Sequence, residues 1–234
     1  MSGVRAVLFD VFGTLVDWRG SLIADFTTFG EKTGRAGDWT GLVDAWRGAY
    51  QPSMQRVRSG AEPFANLDTL QRASLDDLLE KFAIEGVSAA ERDWMVSRWH
   101  HLRPWPDSAA GLAALRAKKI TGTLSNGHVA LLISLAKTGD MGFDVIFGAD
   151  IFRHYKPDRE TYLGACALLD LPPGAVMLAA AHNSDLAAAR ACGLKTGFIP
   201  RPSEYGPSQQ RDLRAEADWD VIAESVGALA DKIG

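Results

Sequence analysis

The chain has 234 residues, 47% apolar and 23% charged, which suits one large core and a smaller accessory domain. Its formal charge of −4 and its scattered basic residues argue against nucleic acid or an anionic membrane as partner. No stretch approaches the roughly 20 apolar residues of a spanning helix, and Asp10 cuts short the apolar run after Arg5, so no signal peptide is read and a cytoplasmic setting is expected.

The first β-like run is Val4 to Phe9. Asp10 closes it and Val11-Phe12-Gly13-Thr14-Leu15 follows, so a carboxylate stands where a buried strand meets a glycine turn. Loops at the carboxyl ends of parallel strands carry the ligands of open α/β sheets, and an Asp there is placed to act as a nucleophile or merely to cap the turn. From Asp17 to about Arg103 no comparable β-run occurs. Leu42-Val43-Ala45-Trp46-Tyr50, Leu67-Leu70-Leu78-Leu79 and Trp94-Met95-Trp99 recur there at helical spacing. The spacing predicts about four helices forming a cap over residues 17–103, inserted directly after the candidate nucleophile and therefore expected to enclose it. Trp18, Arg19, Trp99, His100 and His101 can line such a cleft, although a Trp at helical spacing more often belongs to a core.

Arg103-Pro104-Trp105-Pro106-Asp107 stiffens the return of the chain, with Asp107 or Ser108 expected to cap the next helix. Further β-like runs at Ile120 to Leu124, Val145 to Phe147, Val176 to Ala180 and Thr196 to Ile199 alternate with helical patterns. That alternation predicts an α/β fold with a doubly wound, parallel, Rossmann-like core formed by residues 1–16 and 104–234. A polar stretch from Arg201 to Asp218 precedes an amphipathic helix expected over Trp219 to Ile233. Cys166 and Cys192 are too few for a disulfide scaffold or a zinc site and read as buried free thiols.

Three later segments repeat the strand-end pattern. Thr123-Leu124-Ser125-Asn126-Gly127 leads to a helix start near His128, so Ser125 and Asn126 can bond an anionic ligand or cap that helix. Tyr155-Lys156-Pro157 carries a lysine that, if aimed at Asp10, would keep the carboxylate ionised, with Pro157 opening the next helix. Leu178 to Leu186 is a strand running into a polar loop with His182 and Asp185, then a helix that Gly193 ends. Asp185 can accept from Lys156 or orient water, and His182 can donate to an anion or act as a base.

Taken together, Phe9-Asp10-Val11-Phe12-Gly13-Thr14-Leu15, Leu124-Ser125-Asn126-Gly127, Tyr155-Lys156-Pro157 and Asp185 closely resemble the four motifs of the haloacid dehalogenase superfamily across the whole chain. Phe12, the Trp46-Arg47 pair, and Lys156 followed by Tyr162 resemble its L-2-haloacid dehalogenase (type II) branch. The resemblance implies hydrolysis of small 2-haloalkanoic acids to 2-hydroxy acids through an ester on Asp10, without metal or other cofactor. Lys156 and Asp185 would support Asp10, Thr14 would bond it, and Ser125 would hold the substrate carboxylate. Arg47 and Asn126 would hold the halide, with Tyr162 as an orienter. The partners implied are a small 2-haloacid and its halide, with a homodimer left open.

Superfamily phosphatases generally place a second Asp two residues after the nucleophile, as acid for the leaving alcohol. Phe12 stands there, and a halide needs no proton to depart. The fourth motif departs from the branch: Ala180, His182 and Ser184 occupy positions that usually carry Ser, Asn and an aromatic. His182 is therefore expected as an N–H donor adapting the site to small substrates, with fluoroacetate an open candidate. The alternatives are a magnesium-dependent phosphatase of the superfamily and a non-catalytic binder of small carboxylates.

Overall fold

A computed structural model describes residues 3–233. Within the described residues the chain forms two compact units, one comprising the chain up to Asp17 and from Arg103 onward, the other Trp18–Leu102.

The first unit is built on strands β1 (Ala6–Phe9), β2 (Val16–Asp17), β3 (Arg103–Pro104), β4 (Ile120–Ser125), β5 (Val145–Gly148), β6 (Val176–Ala180), β7 (Lys195–Phe198) and β8 (Val221–Ile222). Six of them form one sheet in the order β5-β4-β1-β6-β7-β8, with every neighbouring pair parallel. β2 and β3 make a separate antiparallel ribbon. The central strands β1 and β6 are buried at every position. Their unbroken apolar runs are what a parallel sheet covered on both faces requires. The doubly wound α/β core is as expected.

The helical unit contains α1 (Trp18–Thr33), α2 (Trp39–Arg58), α3 (Leu67–Lys81) and α4 (Ala89–Ser97), then a short 3₁₀ turn at Arg98–His101. Polar side chains define its helix starts. Asp38 accepts from the Gly41 amide, Asn66 from the Thr69 amide, and Ser88 with Glu91 forms a reciprocal capping box. Aromatic residues fill this unit's interior: Trp18 stacks on Trp99 at 6.4 Å between ring centres, and Trp46 meets Trp99 edge-on at 5.6 Å. Trp18 and Trp99 are thus packed in the core, and Arg19 is engaged by Asp44 at 2.7 Å.

The remaining helices, α5 (Ser108–Arg116), α6 (Val129–Thr138), α7 (Ala149–Phe152), α8 (Arg159–Leu168), α9 (Asn183–Ala191) and α10 (Val226–Ile233), belong to the first unit. Three local expectations are corrected. Residues 219–222 are not the start of the last helix, because β8 joins the sheet beside β7. Asp220 there accepts from the Thr196 amide and hydroxyl and from Lys195, each at 2.9 Å, which holds the segment extended. Helix α8 begins at Arg159, two residues after Pro157, and the Lys156–Pro157 peptide is cis. Asp107 occupies the N-cap position of α5 but its side chain does not cap that helix. Its carboxylate is taken instead by Arg201, at 2.7 and 3.0 Å, and by the Val226 amide at the start of α10, at 2.8 Å. Cys166 and Cys192 are buried free thiols, as expected.

Candidate active site

The parallel register brings the carboxyl ends of β4, β1 and β6 side by side, with Phe9 opposite both Thr123 and Ala179. Asp10 follows directly and its amide still donates to the Ala179 carbonyl at 3.0 Å. Gly13 then reverses the chain in a left-handed conformation, φ +84°. The turn returns Thr14 to Asp10: its hydroxyl donates to Asp10 Oδ2 at 2.7 Å and accepts from the Ala181 amide at 2.9 Å. One buried hydroxyl therefore ties the loop after β1 to the loop after β6.

Lys156 sits between α7 and α8. Its amide donates to Asn126 Oδ1 at 2.7 Å, which fixes the direction of the segment. Its ammonium donates to Asp10 Oδ1 at 2.9 Å and to Asp185 Oδ2, while the Tyr162 hydroxyl donates to Asp185 Oδ1 at 2.7 Å. Burial alone pushes the Asp10 carboxyl up, but the Lys156 ammonium and then His182 outweigh it, and the group is held well below the usual carboxylate range. Burial likewise works against a charged Lys156, and Asp10 and Asp185 overcome it, raising the ammonium above its ordinary value. Burial and the Asp185 carboxylate push the Tyr162 phenol far up, so it stays a proton donor at any physiological pH.

His182 flanks Asp10 from the other side. His182 Nδ1 lies 3.2 Å from Asp10 Oδ2, and its Nε2 lies 2.9 Å from Glu204 Oε2. Burial disfavours the imidazolium, yet Glu204 and Asp10 raise its pKa well above the ordinary histidine value. Both ring nitrogens thus face carboxylates of the protein, where an N–H donor aimed at the substrate was expected. Glu204 is 1% exposed, in the loop after β7, and its amide donates to the Arg201 carbonyl at 3.1 Å. Arg201 donates to the Thr14 carbonyl at 2.9 Å while it grips Asp107.

Ser125 and Asn126 do not cap α6. The first amide of that helix, Val129, donates to Asp150 Oδ1 at 3.0 Å. Ser125 Oγ accepts from the Gly127 amide at 3.1 Å, a local bond at the end of β4. Phe12, two residues after Asp10, is buried. Arg47 belongs to the helical unit, where its guanidinium lies 4.3 Å from the Tyr50 ring centre and 5.3 Å from that of Trp18.

Asp10, Thr14, Asn126, Lys156, Tyr162, His182 and Asp185 are thus one bonded network. Sequence reasoning missed Glu204, Arg201 and the long-range use of Asp107. The available signal was a pair of charged residues in an otherwise polar stretch, with no periodicity to mark them as buried.

A carboxylate paired with a buried lysine at the carboxyl end of a central strand stands where doubly wound α/β sheets place their ligands and chemistry. The chain belongs to the haloacid dehalogenase-like hydrolases, a family it matches over residues 4–193. A crystal structure of an L-2-haloacid dehalogenase is similar at 51% identity, covering 99% of each chain with a TM-score of 0.96. A second, of a defluorinating L-2-haloacid dehalogenase, is 46% identical, covering 98% of this chain and 94% of that one with a TM-score of 0.95. The (S)-2-haloacid dehalogenase 1 of Pseudomonas sp. (strain CBS-3) is 30% identical over 218 residues, 90% of this chain and 92% of its own. No helix of the described residues is long and apolar enough to cross a membrane.

Proposed function

We propose that this enzyme hydrolyses small (S)-2-haloalkanoic acids to 2-hydroxy acids through an ester on Asp10. The observation that carries the reading is the pairing of an ionised Asp10, flanked by Lys156 and His182, with an apolar Phe12 two residues on. Oδ2 accepts from Thr14 and faces His182, whereas Oδ1 accepts from Lys156. Oδ1 keeps the freer lone pair and attacks the carbon bearing the halogen, displacing halide with inversion. Water then adds to the Asp10 carboxyl carbon. The bond from that carbon to Oδ1 breaks, the product leaves with Oδ1 as its hydroxyl oxygen, and the carboxylate is restored with an oxygen from water.

In this reading Lys156, held by Asp185 and Tyr162, keeps Asp10 ionised for attack. Ser125 and the amides beside it bind the substrate carboxylate, and Arg47 and Asn126 bind the departing halide. Phe12 supplies no proton, and a halide leaves as a stable anion without one.

The magnesium that phosphatases of this superfamily use is poorly served by these residues. The Asp10 and Asp185 carboxylates are both engaged by Lys156, and the imidazolium of His182 adds a second positive charge beside Asp10. A divalent cation would meet two cations and few free oxygen ligands there. The reaction needs only the haloacid and water as partners. A cytoplasmic setting accords with the reduced thiols, and a homodimer is tested by light scattering.

The deciding experiment measures halide release from fluoro-, chloro- and bromoacetate and both 2-chloropropionate enantiomers in EDTA, beside phosphate release from phosphoglycolate with magnesium. Halide release unaffected by EDTA and selective for the (S) enantiomer is expected. Phosphate release that EDTA abolishes, without halide release, would replace this reading with the phosphatase.

A further inference from the structure

The reaction as proposed has two chemical steps, and the buried Glu204 has no evident task in the first. Asp10 is already ionised by Lys156, and nothing in halide displacement calls for a second buried carboxylate behind His182. In the second step water attacks the ester, and the electron pair of the carbonyl moves onto Oδ2 before the bond to Oδ1 breaks. One proton of the water ends on the hydroxyl of the product and the other is released to solvent as the carboxylate is restored. Oδ2 is therefore where negative charge develops, and two groups sit against it: the Thr14 hydroxyl at 2.7 Å and His182 Nδ1 at 3.2 Å. Fixed donors at a developing oxyanion are among the strongest devices for lowering a barrier.

We infer that Glu204 is a positioning residue that holds His182 as a cationic donor, so that Nδ1–H and the Thr14 hydroxyl form the oxyanion site for hydrolysis of the Asp10 ester. This rests on the dehalogenase reading above. Its physical core is a change of charge during turnover. In the free enzyme His182 faces two anions, Asp10 and Glu204, with Lys156 and Asp185 beyond Asp10, and Asp212 bonded to the amide of the next residue, Asn183. Once the ester forms, Asp10 is neutral, and Lys156, still paired with Asp185, faces His182 across it as a like charge. Glu204 is then the anion in direct contact with the ring, and without it a buried imidazole would shed its proton at the moment the oxyanion needs a donor.

Gly13 fits the same role. A Cβ built there would lie 2.1 Å from Glu204 Oε1, so the glycine that turns the chain after the nucleophile also makes room for the carboxylate behind His182. Arg201 bonds the Thr14 carbonyl through its side chain and the Glu204 amide through its own carbonyl, linking the two halves of the oxyanion site.

The test is Glu204→Gln in the full chain, with chloroacetate, rapid-quench halide measurement and intact-protein mass spectrometry. The first turnover of halide is expected within about threefold of the parent. The steady-state rate is expected to fall by roughly ten- to a hundredfold, as for loss of an oxyanion donor, with the Asp10 ester accumulating. The variant's steady-state rate should also fall as pH rises past about 6.5, the ordinary histidine value, where the parent's does not. Equal loss of first turnover and steady state, or no accumulated ester, would overturn the inference. A check free of any variant is histidine-labelled NMR of the parent enzyme: His182 should remain imidazolium at pH 8, and titration near 6.5 would overturn it. Absence of halide release from the parent itself would instead remove the dehalogenase reading on which the inference stands.

Discussion

Gly13 and Glu204 approach so closely that any side chain at the turn would displace the buried carboxylate, since a Cβ on Gly13 would stand 2.1 Å from Glu204 Oε1. The backbone there is also left-handed, φ +84°. Gly13→Ala therefore meets two penalties, conformational strain and displacement of a buried carboxylate. A loss of about 1–3 kcal/mol in stability from the strain alone is expected, measured by urea unfolding, together with a lower steady-state rate. Unchanged stability would mean that the loop carrying Glu204 yields easily.

Lys156 is the only side chain that bonds both Asp10 and Asp185 among the described residues. Lys156→Met leaves two buried carboxylates facing one another, and like charges at that range drive one of them to take a proton. Halide release should fall by more than about a hundredfold at neutral pH. The folded protein should also lose on the order of 3 kcal/mol, because a buried charge loses its partner. Retention of near-parent activity would show that Asp10 needs no ammonium to stay ionised.

Arg201 connects the nucleophile turn to the α5 and α10 ends of the first unit, by way of Thr14 and Asp107. Its side chain is 10% exposed and that of Asp107 24%, so the pair is largely desolvated. Arg201→Ala is expected to cost about 3 kcal/mol, read from thermal and urea unfolding. It should reduce turnover more than it raises KM, because the Thr14 turn it steadies bonds Asp10 directly. Asp107→Ala should destabilise in the same sense, and the two changes should combine non-additively in a double-mutant cycle.

The charges around Asp10 set opposite pH limits to stability. His182 has a folded-state pKa raised above its unfolded value near 6.5, so its contribution is complete below that pH and is lost as pH rises through the folded value. Asp10 has a depressed folded-state pKa, so its contribution is present above its unfolded value near 3.9 and is lost as pH falls below it. Melting temperatures of the parent and His182→Asn should therefore differ most near pH 6 and converge as pH rises. A difference that stays constant from pH 6 to 10 would contradict the charged bridge.

Much of the core was legible because its signals are local. Each strand end is a short apolar run followed by a small polar loop, and the parallel topology follows from strands alternating with helices. Lys156 and Asp185 were readable as partners of Asp10 through the resemblance of four motifs that are far apart in sequence. The departures came where a local rule competed with a distant partner. Asp107 reads as a helix cap from its neighbours, yet a guanidinium 94 positions away satisfies both its oxygens. Trp219 to Ile222 continues the amphipathic pattern of α10, yet Asp220 locks onto Lys195 and Thr196 and the segment adds a strand to the sheet.

His182 shows the division most clearly. Its type and place after β6 are visible along the chain, as are the strand-end Asp10, the apolar Phe12 and the alternation that builds the sheet, because each depends on residues within a few positions. Its chemistry is not visible there. An imidazole is neutral or cationic according to what lies within about 4 Å of it, and Glu204 reaches that distance from 22 residues away through an irregular loop. Folding buries His182 against Asp10 and Glu204 against His182, and burial gives their few ångströms of separation enough electrostatic weight to set the charge of the site.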